Sequence, residues 1–148
     1  MQKEEFRIQN SEVRPMIFVT ARNFMIVQHC RRGEWRRPEG PNKAVCAAVI
    51  RVYRGLPSSD EARVIGRQLL RSATSVGANY RAACRARSRA EFIAKLGIVL
   101  EEADEAVYWL ELLLETGILD HKRLDPLLRE ANELTSIFVS SLRTAKSA

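Results

Sequence analysis

Two opposed stripes along one stretch of this chain restrict its fold more than any other feature. From Ser58 or Ser59 to about Arg85, at about 100° per residue, Ala62, Ile65, Leu69, Ala73, Val76, Tyr80 and Ala83 fall within one arc of roughly 80°. Arg63, Arg67, Arg71, Arg81 and Arg85 occupy a similar arc almost diametrically opposite. Such a helix buries one face in a core and offers an arginine stripe on the other. The serines can cap it, and Asp60 and Glu61 lie in its first turn, where carboxylates complement the helix dipole.

The neighbouring segments continue the pattern. Ser88-Arg89-Ala90-Glu91 is a capping box followed at once by Phe92, so a further helix starts there. Its predicted core stripe is Phe92, Leu96, Val99, Ala103, Ala106, Val107, Leu110 and Leu114, and Gly117 ends it at the C′ position. Its back is not simply polar, because Ile98, Trp109 and Leu112 share an outer face with Glu102 and Glu105. A last helix is predicted from around 122–125 to about Thr144, with Pro126 in its first turn, where proline is tolerated. Leu124, Leu127, Leu128, Ala131, Leu134, Ile137, Phe138 and Leu142 supply its apolar face. Upstream, Asn42 caps a helix through KAVCAAVIRVYR that Gly55 and Pro57 stop.

Four amphipathic helices joined by short loops predict an all-α fold, an up-down-up-down antiparallel four-helix bundle over residues 42–148. Residues 1–41 read differently. IFVTARNFMIV suits a strand or a short helix, but no second strand pattern exists to pair with it, and RRGEWRRPEGPN is a loop rich in breakers. The segment is expected to be an irregular or disordered extension, and Met16 and Met25 permit a later start.

At 148 residues and 46% hydrophobic content the chain suits a single domain with a real core. Its net charge of +6 conceals an asymmetry. Residues 1–41 carry a net +3, residues 42–95 a net +8, and residues 96–148 a net −5. Basic surface of that density attracts phosphate, and an acidic protein surface meets it equally well.

Chemistry finds little support. Cys30, Cys46 and Cys84 are odd in number, without a CxxC, and His29 and His121 show no ligand spacing with them. Cys46 and Cys84 are expected to be small buried residues in a reducing cytoplasm. A metal bundle wants a Glu-x-x-His motif on two helices, and none occurs. Ser72, Ser75 and Ser88 lack a nearby histidine, and there is neither a P-loop nor a GxGxxG. No enzymatic activity, metal or cofactor is expected. Residues 16–30 are too short and too polar to span a bilayer, so no membrane partner is expected either.

The arginine stripe admits three readings. It is a solvated face, a nucleic-acid surface extended by Arg87 and Arg89 in the following loop, or a subunit interface. In the last, arginines of one protomer meet Glu102 or Glu105 of another, with Trp109, Ile98 and Leu112 as apolar contacts. The second and third are compatible. Asn79, beside the core arc, is expected to order the turn between the second and third helices.

These residues resemble a known family. Leu69-Leu70-Arg71-Ser72-Ala73 and Ser75-Val76, then Asn79, Arg85, Ser88, Glu91 and Phe92, followed by the acidic helix 101–114, are similar to the 23S rRNA intervening-sequence proteins. The likeness covers about 43–145. Members are small bacterial bundles, some encoded inside insertions in 23S rRNA genes, and a related bundle is the accessory protein of diversity-generating retroelements. The resemblance implies a homopentamer, RNA or DNA as a partner, a protein partner such as a reverse transcriptase as the alternative, and no enzymatic role. Two departures stand out. Tyr80-Arg81-Ala82-Ala83-Cys84 replaces an Ile-Ala-Glu-Gly-like run, making the surface more basic, and residues 1–41 have no counterpart.

Overall fold

Helix boundaries in this chain follow the short polar side chains that take up free backbone N–H groups. The computed structural model describes residues 42–147. They form α1 (Asn42–Arg54), α2 (Asp60–Ala83), α3 (Arg89–Glu115) and α4 (His121–Ser147). Ser59 Oγ accepts from the Ala62 N–H at 3.3 Å and opens α2. Ser88 Oγ accepts from the Glu91 N–H at 3.1 Å and opens α3. Glu91 reaches back to complete the box, but onto the Arg87 N–H at 2.8 Å. Gly117 follows α3 with φ of 69°, a backbone conformation only glycine adopts without penalty.

The helices pack in a ring. α1 lies against α2 and α4, α2 against α3, and α3 against α4, so α1 and α3 are diagonal, as are α2 and α4. Each helix runs opposite to its neighbours. Cys46 Sγ donates to the Ala73 carbonyl at 2.9 Å midway along α1 and α2, while Tyr53 and Leu56 meet Gly66 near the start of α2. Every residue of the α2 core arc is buried, and so is the α3 stripe from Phe92 to Leu110. Tyr80 and Phe138 meet across the α2–α4 diagonal with ring centroids 5.8 Å apart. The up-down-up-down bundle read from the periodicity is the fold observed.

Four details differ from expectation. Asn42 is the first residue of α1 rather than its cap, and its buried side-chain amide has no hydrogen-bond partner among the described residues. Leu113 takes the fully buried place expected of Leu114, because the chain returns over that side at Leu119, whose N–H reaches the Leu113 carbonyl at 3.1 Å. α4 starts earlier than expected, since Asp120 Oδ1 accepts from the Arg123 N–H at 2.9 Å and caps it. Pro126 therefore lies in the second turn, where it withholds one helical N–H from an exposed stretch of backbone while Leu124 and Leu127 stay buried. The expectations for residues 1–41, including Cys30 and His29, fall outside the described residues.

Close packing sets one glycine and leaves another replaceable. A Cβ on Gly66 would strike Leu56 Cδ1 and stand 3.1 Å from the Tyr53 ring, so glycine lets α1 approach α2. Gly97, within α3, has no described atom within 4 Å of where its Cβ would be. Gly97→Ala is expected to stabilise the protein by about 1 kcal/mol through helix propensity. Urea unfolding checks this, and a lower midpoint in the variant would contradict it.

Candidate nucleic-acid and subunit interface

The arginine stripe is exposed along its whole length, but its members are not equivalent. Arg63 pairs with Asp60, one turn earlier on the same helix. Arg71 donates from Nη2 to Glu105 Oε1 of α3 at 2.6 Å and from Nε to Gln68 Oε1 at 3.2 Å. Arg67, Arg81 and Arg85 make no ion pair among the described residues. Past the helix end, the Arg87 side chain is 92% exposed, with its Nε 3.6 Å from Glu91 Oε2. Arg89 Nε donates to the Ala145 carbonyl at 2.6 Å, tying the α2–α3 turn to the last turns of α4.

The back of α3 divides in two. Glu102, Glu105, Trp109 and Leu112 are half-buried, and Glu105 reaches the neighbouring α2 through Arg71. Trp109 and Leu112 pack on the core. Trp109 Nε1 donates to Glu105 Oε1 at 3.0 Å, so one carboxylate oxygen collects both the indole N–H and the Arg71 guanidinium. Ile98 is exposed, and with it the true outward stripe of Glu101, Asp104, Tyr108, Glu111 and Glu115. Tyr108 meets Trp109 edge-on with centroids 4.8 Å apart. Sequence reading missed Tyr108, although its spacing from Ile98, Glu101 and Glu111 carries the signal.

Glu105, expected to meet an arginine of another protomer, is engaged within the chain by Arg71 and Trp109. Adjacent α2 and α3 thus satisfy part of the charge asymmetry internally. The Trp109 N–H, more than Arg71, holds the Glu105 carboxyl below its ordinary value of 4.5. A depressed carboxylate stabilises the fold above its unfolded pKa, and that contribution is lost as pH falls through the folded value. Trp35 and Trp109 are the two tryptophans. In a Trp35→Phe background, Trp109 emission is expected to change on acidification with a midpoint below pH 4.5. Glu105→Gln is expected to remove that step, and an identical step in this variant would contradict the assignment.

Other candidates resolve as structural. Asn79 Nδ2 donates to the Ser75 carbonyl and Oγ, each at 3.0 Å, so it braces its own helix one turn back instead of the following turn. Cys84 is buried and Cys46 half-buried, and desolvation raises both thiols above their ordinary value. Burial also pushes the Glu130 carboxyl up, aided by Glu133 and opposed by Arg51. Among the described residues no group of three or more His, Cys, Asp or Glu is placed to hold a metal ion. No helix among them is long and apolar enough to cross a membrane.

Geometry and charge together define a class: a basic antiparallel four-helix bundle with an arginine-bearing helix beside an acidic one. The 23S rRNA-intervening sequence protein family matches residues 42–140, and the chain belongs to that family. A crystal structure of a protein of unknown function from the S23 ribosomal protein family of Bacteroides thetaiotaomicron is similar. It is 30% identical, covers 82% of this chain and 98% of its own, and superposes with a TM-score of 0.66. No curated protein matches the chain.

Proposed function

We propose that the chain is a homo-oligomeric bundle, acting in the cytoplasm without catalysis, that holds RNA or DNA through the arginines of α2. The observation that carries this reading is the exposure of Arg67, Arg81 and Arg85 with no acidic partner among the described residues. Guanidinium groups suit phosphate oxygens bidentately, and a helix face without protruding aromatic rings reads backbone rather than bases. Assembly is supported by Ile98 and Tyr108, 44% and 54% exposed, on an acidic face that complements the arginines of another copy. Five copies are the number that the family resemblance implies.

A second reading keeps that same acidic face as a dock for a different protein, with no nucleic acid bound. Tyr108 among Glu101, Asp104 and Glu111 favours it.

Light scattering and fluorescence anisotropy separate the two. At moderate salt and micromolar concentration the mass is expected to be a multiple of 16.8 kDa, and a monomer would reject assembly. Short RNA and DNA duplexes are expected to bind at low salt, and Arg81→Ala/Arg85→Ala to bind them more weakly. Equal affinity in the double variant would remove α2 as the binding face.

A further inference from the structure

The two ends of the bundle carry very different charge. Antiparallel topology gathers the start of α1, the end of α2, the α2–α3 turn and the end of α4 at one pole, and the Arg89–Ala145 bond fastens the last two together. Arg81, Arg85, Arg87, Arg89, Arg143 and Lys146 are all exposed there. Glu91 is the sole carboxylate in residues 42–48, 78–95 and 136–147, and the Arg87 backbone and side chain already engage it. At the opposite pole Asp60, Glu61, Glu111, Glu115 and Asp120 stand among Arg54, Lys122 and Arg123.

Helix dipoles do not explain the difference. Each pole holds two helix N-termini and two C-termini, so the partial charges offset and the side chains set the sign. Last-turn placement gives Lys146 a structural role on α4 alone, but it leaves Arg143 and the neighbouring Arg81, Arg85 and Arg87 unexplained. Like charges gathered around a single carboxylate repel one another, and a polyanion relieves that repulsion while releasing its own counterions. No large aromatic side chain is exposed at this pole among the described residues: Tyr80, Phe92 and Phe138 are buried, and the exposed Tyr108 lies toward the other end. Among the described residues the pole offers charge and hydrogen-bond donors, and no ring on which a base would stack.

We propose that this pole is the phosphate-binding surface, taking the sugar–phosphate backbone of RNA or DNA across the α2–α3 turn and the last turn of α4. The inference rests on the nucleic-acid reading above. It adds Arg143 and Lys146, which no stripe on α2 contains, and it sets aside Arg63 and Arg71, which Asp60 and Glu105 already neutralise. Contacts of this kind position a strand and carry little sequence preference.

The test compares four forms of the full chain, the wild type and three double variants, by anisotropy with short RNA and DNA duplexes over a series of salt concentrations. Arg143→Ala/Lys146→Ala is expected to weaken binding and to reduce the slope of log affinity against log salt by about 1.8, at about 0.9 per lost phosphate contact. Arg54→Ala/Lys122→Ala, at the other pole, is expected to leave affinity and slope unchanged. All four side chains are exposed, and thermal melting confirms that each variant folds. Unchanged binding by Arg143→Ala/Lys146→Ala, with Arg81→Ala/Arg85→Ala still weakened, would overturn the pole and leave α2 as the site. Equal weakening by both pole variants would also overturn it. No binding by the wild-type protein at low salt would overturn the nucleic-acid reading itself.

Discussion

Phe138→Ala is expected to cost about 3–5 kcal/mol, the transfer free energy of a large ring plus the cavity left behind. Phe138 is 0% exposed on α4 and meets Tyr80 of α2 across the bundle diagonal. Its removal therefore opens the core between diagonal helices near the basic pole instead of loosening one pair of neighbouring helices. Because a single domain of this size has about 5–15 kcal/mol to lose, much of the stability would go. Denaturant unfolding followed by circular dichroism measures it. A loss under about 1 kcal/mol would mean that the α2–α4 diagonal is not packed as described.

Gly66→Leu is expected to destabilise by about 3 kcal/mol for a different reason, overpacking. The new side chain would need the space that Leu56 and the Tyr53 ring occupy where the end of α1 crosses α2. α1 has 13 residues against 24 to 27 in the other helices, so it has fewer contacts left to hold it when that one is lost. Amide exchange in α1 is expected to quicken more than in α3 or α4. Wild-type stability and exchange in Gly66→Leu would show that α1 does not sit closely on α2.

The bundle was legible because each stripe is a property of one helix. Ala62 to Ala83 and Phe92 to Leu110 repeat at helical spacing, Ser88 and Glu91 mark a start, and Gly117 marks an end. The missed features depend on relations between helices or on competing local signals. Pro126 argued for a later α4, but the Asp120 cap sets the start. Arg71 and Glu105 are 34 residues apart, and a helical projection of either element says nothing of the register that joins them. The same limit hid the basic pole. Arg143 and Lys146 lie in a segment of net negative charge, and only the antiparallel arrangement sets them beside Arg85 and Arg87.

Trp109 shows what a helical projection leaves out. The projection sets it with Ile98 on one outer face, where an exposed tryptophan would suggest a contact. The ring instead packs on the core, and its N–H is spent on Glu105. Trp109→Glu would therefore disturb the fold as well as any seam, so Tyr108 on the outward stripe is the better probe of assembly.

The salt dependence of wild-type binding to a short RNA duplex is the most direct measurement. Between about 50 and 200 mM salt, log affinity is expected to fall linearly with log salt, by about 0.9 for each phosphate contacted. Several contacts per assembly would give a steep line with little dependence on base sequence. A flat line, or no binding at the lowest salt, would contradict phosphate recognition by this bundle.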